Sequence, residues 1–283
     1  MLGQIAQNVG QDFQYKLACW QYKLTASDKK EPIKVMVNGS PKTGTTWMLR
    51  MITSVPGYEA VGNFTGDYSK YGTVRSGQVL HGHEWFSTEL DHILSTTKIR
   101  VVLMVRDPRD QLVSRMFHIK RSPAHAWHER LQRMSDDEAL MFCIEGAEGL
   151  PGTDKMIRLT QTWLDARADA LIVKYEELLE APSEGLNRVL TYLNIPKTNK
   201  LVGAIVARNR FERLSVGRRI WRSRRPGQED KSSHFRKGIV GDWRNYLKDA
   251  HIQRFKEVAG QQLIELGYEL SDEWDQTVLL PQR

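Results

Sequence analysis

Residues 39–47, reading GSPKTGTTW, constrain this chain more than any other stretch. They follow an apolar run at Ile33, Val35, Met36 and Val37, and so read as a strand entering a glycine loop that opens a helix. Backbone N–H groups at a helix start have no partner within the helix and point outward, which makes such a turn a seat for phosphate. The spacing approaches the phosphate loop G-x-x-x-x-G-K-[ST], with Gly39 and Gly44 at the glycine positions and Thr46 at the closing hydroxyl. Thr45 stands where that pattern needs lysine, and the lysine lies inside the loop as Lys42. The loop implies a nucleotide and speaks against a Mg-ATP kinase.

At 283 residues the chain has room for one large α/β domain or two small ones. Cys19 and Cys143 lie far apart in apolar stretches, giving neither a disulfide framework nor metal-ligand spacing, which suits a reducing cytoplasm. The sequence shows no signal peptide and no run of about eighteen apolar residues, so a cytoplasmic protein is expected. A formal charge of +7 and a pI near 9.3 favour anionic ligands, small or polymeric.

Along the chain, Ile5, Val9, Phe13, Leu17, Trp20 and Leu24 recur at helical steps and predict a packing helix with one buried stripe. A strand at 33–38 and a helix at 45–55 follow. Residues 62–78, where four glycines interleave with Phe64, Tyr68 and Tyr71, read as a long aromatic loop. After Val79-Leu80 comes His81-Gly82-His83-Glu84, and then 99–105, an apolar strand suited to burial on both faces of a parallel sheet. It ends in Arg106-Asp107-Pro108-Arg109-Asp110, which leads into a helix. Further helices are predicted at 135–147, 155–168, 184–193, 197–206 and 248–266, with a strand at 170–174 ending in Tyr175. From 208 to 225, eight of eighteen residues are arginine, and 232–243 reads SSHFRKGIVGDW. The pattern predicts a single α/β domain, a central parallel sheet flanked by helices with a P-loop-like nucleotide-binding core. Its parts are an N-terminal packing helix (1–30), the core (33–246) and a C-terminal helix and tail (247–283).

Three segments can each hold an anionic oxygen: the loop at Lys42, Arg106 with Ser114 eight residues on, and Arg236-Lys237-Gly238, where glycine admits close approach. A parallel sheet gathers its strand ends along one edge, where the three can meet on a nucleoside with phosphates at both ends. In these residues the chain resembles the cytosolic-type sulfotransferases that use 3′-phosphoadenosine 5′-phosphosulfate (PAPS). PKTGTTW (41–47) matches that family's 5′-phosphosulfate loop, RDPRDQLVS (106–114) its 3′-phosphate motif and RKGIVGDW (236–243) its third cofactor segment. The resemblance implies contacts from Lys42, Thr43, Gly44, Thr45 and Thr46 to the phosphosulfate. It gives Arg106, Ser114, Arg236, Lys237 and Gly238 to the 3′-phosphate, and Trp47, Tyr175 and Phe211 to the adenine. His83 aligns with the catalytic histidine, while His81 and Gly82 replace the family's lysine and threonine. His81 and Glu84 are rivals for the base.

The implied reaction moves the sulfuryl group from PAPS to a hydroxyl or amine of a small-molecule acceptor. Adenosine 3′,5′-bisphosphate (PAP) leaves, with His83, Lys42 and Ser114 as the catalytic set and no metal required. The family's dimer motif is not recognisable after Trp243, so that dimer is not expected. Residues 62–78, 84–90, 120–134 and 212–230 are expected to wall the acceptor pocket, with Phe64, Tyr68, Tyr71, Trp85, Phe86 and Trp221 suggesting an aromatic molecule. His125 and His128 read as surface. The arginine segment reads as a lid, a steering surface or a grip on an acidic acceptor. The rivals are a nucleotide kinase, in which Asp107 would hold magnesium, and a basic nucleic-acid binder resting on that segment.

Overall fold

The computed structural model describes residues 2–25, 31–166, 169–215 and 224–274. Helix α1 (Leu2–Thr25) leads to strand β1 (Lys34–Asn38), the glycine loop and α2 (Thr45–Thr53). Then come β2 (Glu59–Asn63), a 3₁₀ turn (Tyr68–Thr73), β3 (Gln78–Gly82), α3 (Thr88–Thr97) and β4 (Ile99–Val105). Helix α4 (Pro108–Arg121) starts with proline in its first turn and with the Asp107 carboxylate accepting from the Arg109 N–H, a cap that fixes where the strand stops. Helices α5 (His128–Gln132), α6 (Asp136–Glu145) and α7 (Thr153–Ala166) precede β5 (Leu171–Lys174). Four short helices follow, α8 (Tyr175–Glu180), α9 (Pro182–Tyr192), α10 (Asn199–Arg208) and α11 (Phe211–Leu214). A 3₁₀ turn (Asp242–Asn245) and α12 (Asp249–Glu265) complete the order.

All five strands run parallel in the order β2-β3-β1-β4-β5. Alternate residues serve opposite faces. Val35, Val37, Val102 and Met104 pack with α1, α2, α9 and α10, while Met36, Val101, Leu103 and Val105 pack with α3 and Trp163 of α7. A third core joins α4, α6 and α12. From β1 the chain winds first to β2 and β3 on one side and then to β4 and β5 on the other, so the carboxyl end of β1 is the point where strand order reverses, the usual place for a ligand crevice in such sheets.

Two expectations are corrected here. The α1 stripe is not buried: Val9 is 63% exposed, Phe13 67% and Trp20 59%. The inward face is instead the one carrying Asp12, Tyr15, Ala18 and Tyr22. There the Tyr15 hydroxyl donates to Ser54 O at 2.7 Å and Asp12 pairs with Arg208 and Arg213 at 2.9 and 2.8 Å. Periodicity finds a stripe, but specific polar bonds chose the docking face. Residues 62–78 are not a loop throughout, since β2 extends to Asn63 and the 3₁₀ turn buries Tyr71 completely against Phe64 and Tyr68. Glycines suggested a loop; pairing with β3 made the edge strand.

Candidate functional site

The loop between β1 and α2 is shaped by its glycines and braced from α4. Gly44 adopts φ +99°, and a Cβ there would lie 2.8 Å from the Tyr175 ring. Lys42 holds φ +76°, a conformation unusual for a non-glycine residue, which exposes its side chain to a cavity of about 220 Å³. Gln111 of α4 donates to Ser40 Oγ and Pro41 O, both at 2.7 Å, and Arg106 Nη1 donates to Lys42 O at 3.3 Å. The first two expected anion-holding segments are therefore in direct contact.

The third is tied to the second. Asp110, fully buried one helical turn from Arg106, accepts from Gly241 N–H at 2.7 Å and Trp243 N–H at 2.9 Å. Gly238 at φ +65° lies so close to Phe211 that a Cβ would meet its ring at 2.3 Å. Arg224 braces the segment from behind, donating to Arg236 O and Phe235 O at 2.6 Å each. Arg208, Arg213 and Arg224 are thus structural ties, which corrects the lid or grip reading for these three; residues 216–223, with Trp221 and Arg222, lie outside the described residues.

Thirteen expected site residues line the one cavity: Lys42, Gly44, Thr45, Thr46, Trp47, His83, Arg106, Ser114, Tyr175, Phe211, Arg236, Lys237 and Gly238. Thr43 is the exception. Its side chain is buried, with the hydroxyl donating to Ser40 O at 2.8 Å, so it shapes the loop from within. Trp47 meets Tyr175 edge-on at 5.7 Å and donates its indole N–H to Asn209 O at 2.9 Å, while the Arg106 guanidinium covers the Tyr175 ring at 4.3 Å.

The electrostatics favour an anion. Burial, with Arg121, Arg106 and Arg236 nearby, pushes the Lys42 ammonium down to about 7. Arg106 Nε is buried with no partner among the described residues, an unpaired donor of the sort that an oxyanion satisfies. Arg236 and Lys237 share the Asp242 carboxylate, the lysine at 2.6 Å, and Arg236 also pairs with Glu229, so their charge toward the cavity is partly neutralised.

His83 follows β3 and is anchored twice. Its backbone N–H donates to Thr65 Oγ1 at 2.8 Å and its Nδ1 lies 2.7 Å from Gly39 O. A carbonyl only accepts, so Nδ1 carries the hydrogen and Nε2 is left as the basic nitrogen. Burial lowers the imidazole's affinity for a second proton, with His81 and Lys42 acting in the same direction.

Glu84, the rival base, is buried and turned away, with its carboxylate accepting from Gly66 N–H at 2.7 Å and the Tyr71 hydroxyl at 3.2 Å. Its backbone is clamped by Asn38 and Trp163, which sets the position of the adjoining His83. His81 meets the His83 ring edge at 6.5 Å and is not part of the cavity lining. Asp107, the carboxylate that the kinase rival needs, is bound to Arg109. Phe64, Tyr68, Tyr71, Trp85 and Phe86 do not line the cavity; Tyr71 belongs to the core and Phe86 stacks edge-on with Trp163.

His118, His234, Phe235 and Asn209 line the cavity and were missed. The signal for His118 was its place one turn beyond Ser114 on α4, and for His234 its place two residues before Arg236. His125, read as surface, is half-buried with its ring 6.3 Å from that of His118. Among the described residues no helix is long and apolar enough to cross a membrane.

A parallel α/β sheet with a glycine loop at its switch point and cations from three segments defines a nucleotide-type anion site. Residues 32–267 match the sulfotransferase domain family, and the chain belongs to that family and is a sulfotransferase. It is similar to a flavonol sulfotransferase-like protein of Flaveria bidentis, 24% identical over 267 residues and 85% of each chain. It is also similar to mouse sulfotransferase 1B1, 22% identical over 259 residues, 80% of this chain and 81% of the other. Among solved structures, mouse sulfotransferase SULT7A1 complexed with PAP aligns with TM-score 0.65 and 19% identity over 85% of this chain and 88% of that one. At that identity the likeness is one of fold.

Proposed function

We propose that the chain transfers the sulfuryl group of PAPS to a hydroxyl or amine of a small-molecule acceptor, with His83 as general base. The observation that carries this reading is the meeting of three distant segments on one cavity, with Arg106 bonded to Lys42 O and His83 on the same lining. Lys42, the loop and helix-start N–H groups, Thr45 and Thr46 would hold the phosphosulfate. Arg106 with its unpaired Nε, Ser114, Arg236, Lys237 and the Gly238 backbone would take the 3′-phosphate, and Trp47, Tyr175 and Phe211 would enclose the adenine. When bound, PAPS supplies an electrophilic sulfur and a phosphate leaving group.

His83 then receives the acceptor's proton at Nε2, and its lowered pKa keeps it a neutral base at neutral pH. The Lys42 ammonium neutralises charge on the bridging oxygen. The fixed cations supply the stabilisation that a metal would otherwise give. A cytoplasmic setting belongs to the same reading, supported by the unpaired thiols Cys19 and Cys143 and by relatives named as cytosolic in Arabidopsis thaliana.

Melting curves with PAP, Mg-ATP and duplex DNA test the donor. A ligand at a hundred times its Kd adds about 2.7 kcal/mol, and the rise should come with PAP alone. Stabilisation by Mg-ATP instead would restore the kinase, and stabilisation by DNA the nucleic-acid binder. Transfer of label from PAPS to an acceptor panel tests the reaction.

A further inference from the structure

Two side chains that line the cavity, and a third behind them, have no part in the donor contacts proposed above. His118 and His234 line it, and Arg121 links them, its Nη2 standing 2.9 Å from His118 Nδ1 and 3.4 Å from His234 Nδ1. A guanidinium only donates, so both Nδ1 atoms accept and each ring carries its hydrogen on Nε2. Neither Nε2 has a hydrogen-bond partner among the described residues. His83 has the opposite tautomer, so one cavity presents one imidazole acceptor and two imidazole donors.

Arg121 is half-buried and forms no ion pair among the described residues. Asp230, the carboxylate that favours its charge, is occupied by Ser232 and lies 4.0 Å from Arg224. Arg121 is also seven residues beyond Ser114 on α4, about 10 Å along the helix, with its charge felt at Lys42 and Arg236. Burial, with Lys42 and Arg121 beside them, lowers His118 to about 4 and His234 to about 3, so both rings are neutral donors at physiological pH. Two N–H donors backed by an uncompensated guanidinium form an oxyanion receptor.

Resting on the sulfuryl-transfer reading, we propose that the acceptor carries an oxyanion, a carboxylate or phosphate ester, besides the group to be sulfated. The Nε2 hydrogens of His118 and His234 receive that oxyanion, with Arg121 behind the rings holding both in that tautomer, while the hydroxyl or amine faces His83. The sulfated product would then carry two anionic groups. These residues replace Arg224, which is spent on the backbone of the third segment, as the determinants of acidic specificity.

The test is binding to the full chain loaded with PAP, using phenylacetate and phenyl phosphate against neutral phenylacetamide, with histidine NMR as a second readout. At least one acid should bind about tenfold or more tightly than the amide and shift the His118 and His234 Nε2–H signals while both rings stay neutral. Arg121→Gln should abolish the preference while leaving the Kd for PAP within about twofold. If that variant does not fold, His234→Gln serves and should weaken the preference. Equal binding of acids and amide, a preference that survives both substitutions, or loss of PAP affinity in step with loss of preference overturns the proposal. Failure of the donor reading would look different: wild-type protein would not bind PAP in the loading step, and the acid preference would then be read on the unloaded chain.

Discussion

The loop at 39–47 and the segment at 224–242 face the same cavity, but they are held in place by different forces. The loop is set by the sheet and by sterics: it leaves the central strand, its glycines fit against Tyr175 and Met104, and Gln111 ties its back to α4. The later segment has little regular structure and hangs on charged side chains, with Asp110 on its turn, Arg224 on its carbonyls and Asp242 between Arg236 and Lys237. An anion site can thus join a half fixed by packing to a half fixed by ionic bonds. Only the second should yield readily to changes that alter charge but not shape.

The sharpest break is expected on the chemical side of the loop. His83→Ala should lower kcat by roughly a hundred- to ten-thousandfold, the range for loss of a general base, with the Kd for PAP unchanged within about twofold. A parallel fall in PAP affinity would make His83 a donor ligand instead.

Next come paired glycine substitutions. Gly44→Ala puts a Cβ 2.8 Å from Tyr175 at φ +99° and should cost about 1–3 kcal/mol along with PAP binding. Gly238→Ala puts a Cβ still closer to the Phe211 ring at φ +65° and should cost about as much. A melting temperature for either variant equal to wild type would remove the steric account of that half of the site.

Asp110→Asn keeps the shape but leaves one oxygen for two backbone N–H groups, an expected loss of about 1–3 kcal/mol in denaturant melts. PAP affinity should fall with it, because Gly241 and Trp243 close the turn after Gly238.

The last effect is a pH dependence. Lys42, at about 7, lies below its unfolded value of 10.5, so between these limits the unfolded chain holds the extra proton and stability of the free protein rises with pH. PAP favours the charged ammonium, so above pH 7 binding takes up a proton and Kd rises by up to about tenfold per pH unit. Calorimetry in buffers of different ionisation enthalpy reads that proton directly. Arg236 keeps its charge throughout this range, so a Lys42→Arg variant should flatten the profile.

Much of the site was legible because its parts are contiguous in sequence. PKTGTTW, RDPRDQLVS and RKGIVGDW each lie on one turn or strand end, and parallel-strand topology brings such ends together. Thr43 alone of the expected set falls outside the cavity lining, because its hydroxyl bonds back to Ser40, a turn that sequence does not specify. Phe64, Tyr68 and Tyr71 were assigned to the acceptor wall because aromatic side chains suit either a pocket or a core; the 3₁₀ turn buries Tyr71 in the core, with Tyr68 and Phe64 partly buried against it.

The sequence by itself determined strands β1, β4 and β5, most of the longer helices, the anion-holding loop and the cations of three segments, since these depend on local periodicity and on chemistry carried within short segments. Tertiary structure decided which face of α1 turned inward, which tautomer each cavity histidine holds, and that Arg121 joins His118 to His234. Those outcomes depend on the partner across the fold. A carbonyl fixes the hydrogen of His83 and a guanidinium fixes those of the other two, and neither partner is a sequence neighbour of all that it controls.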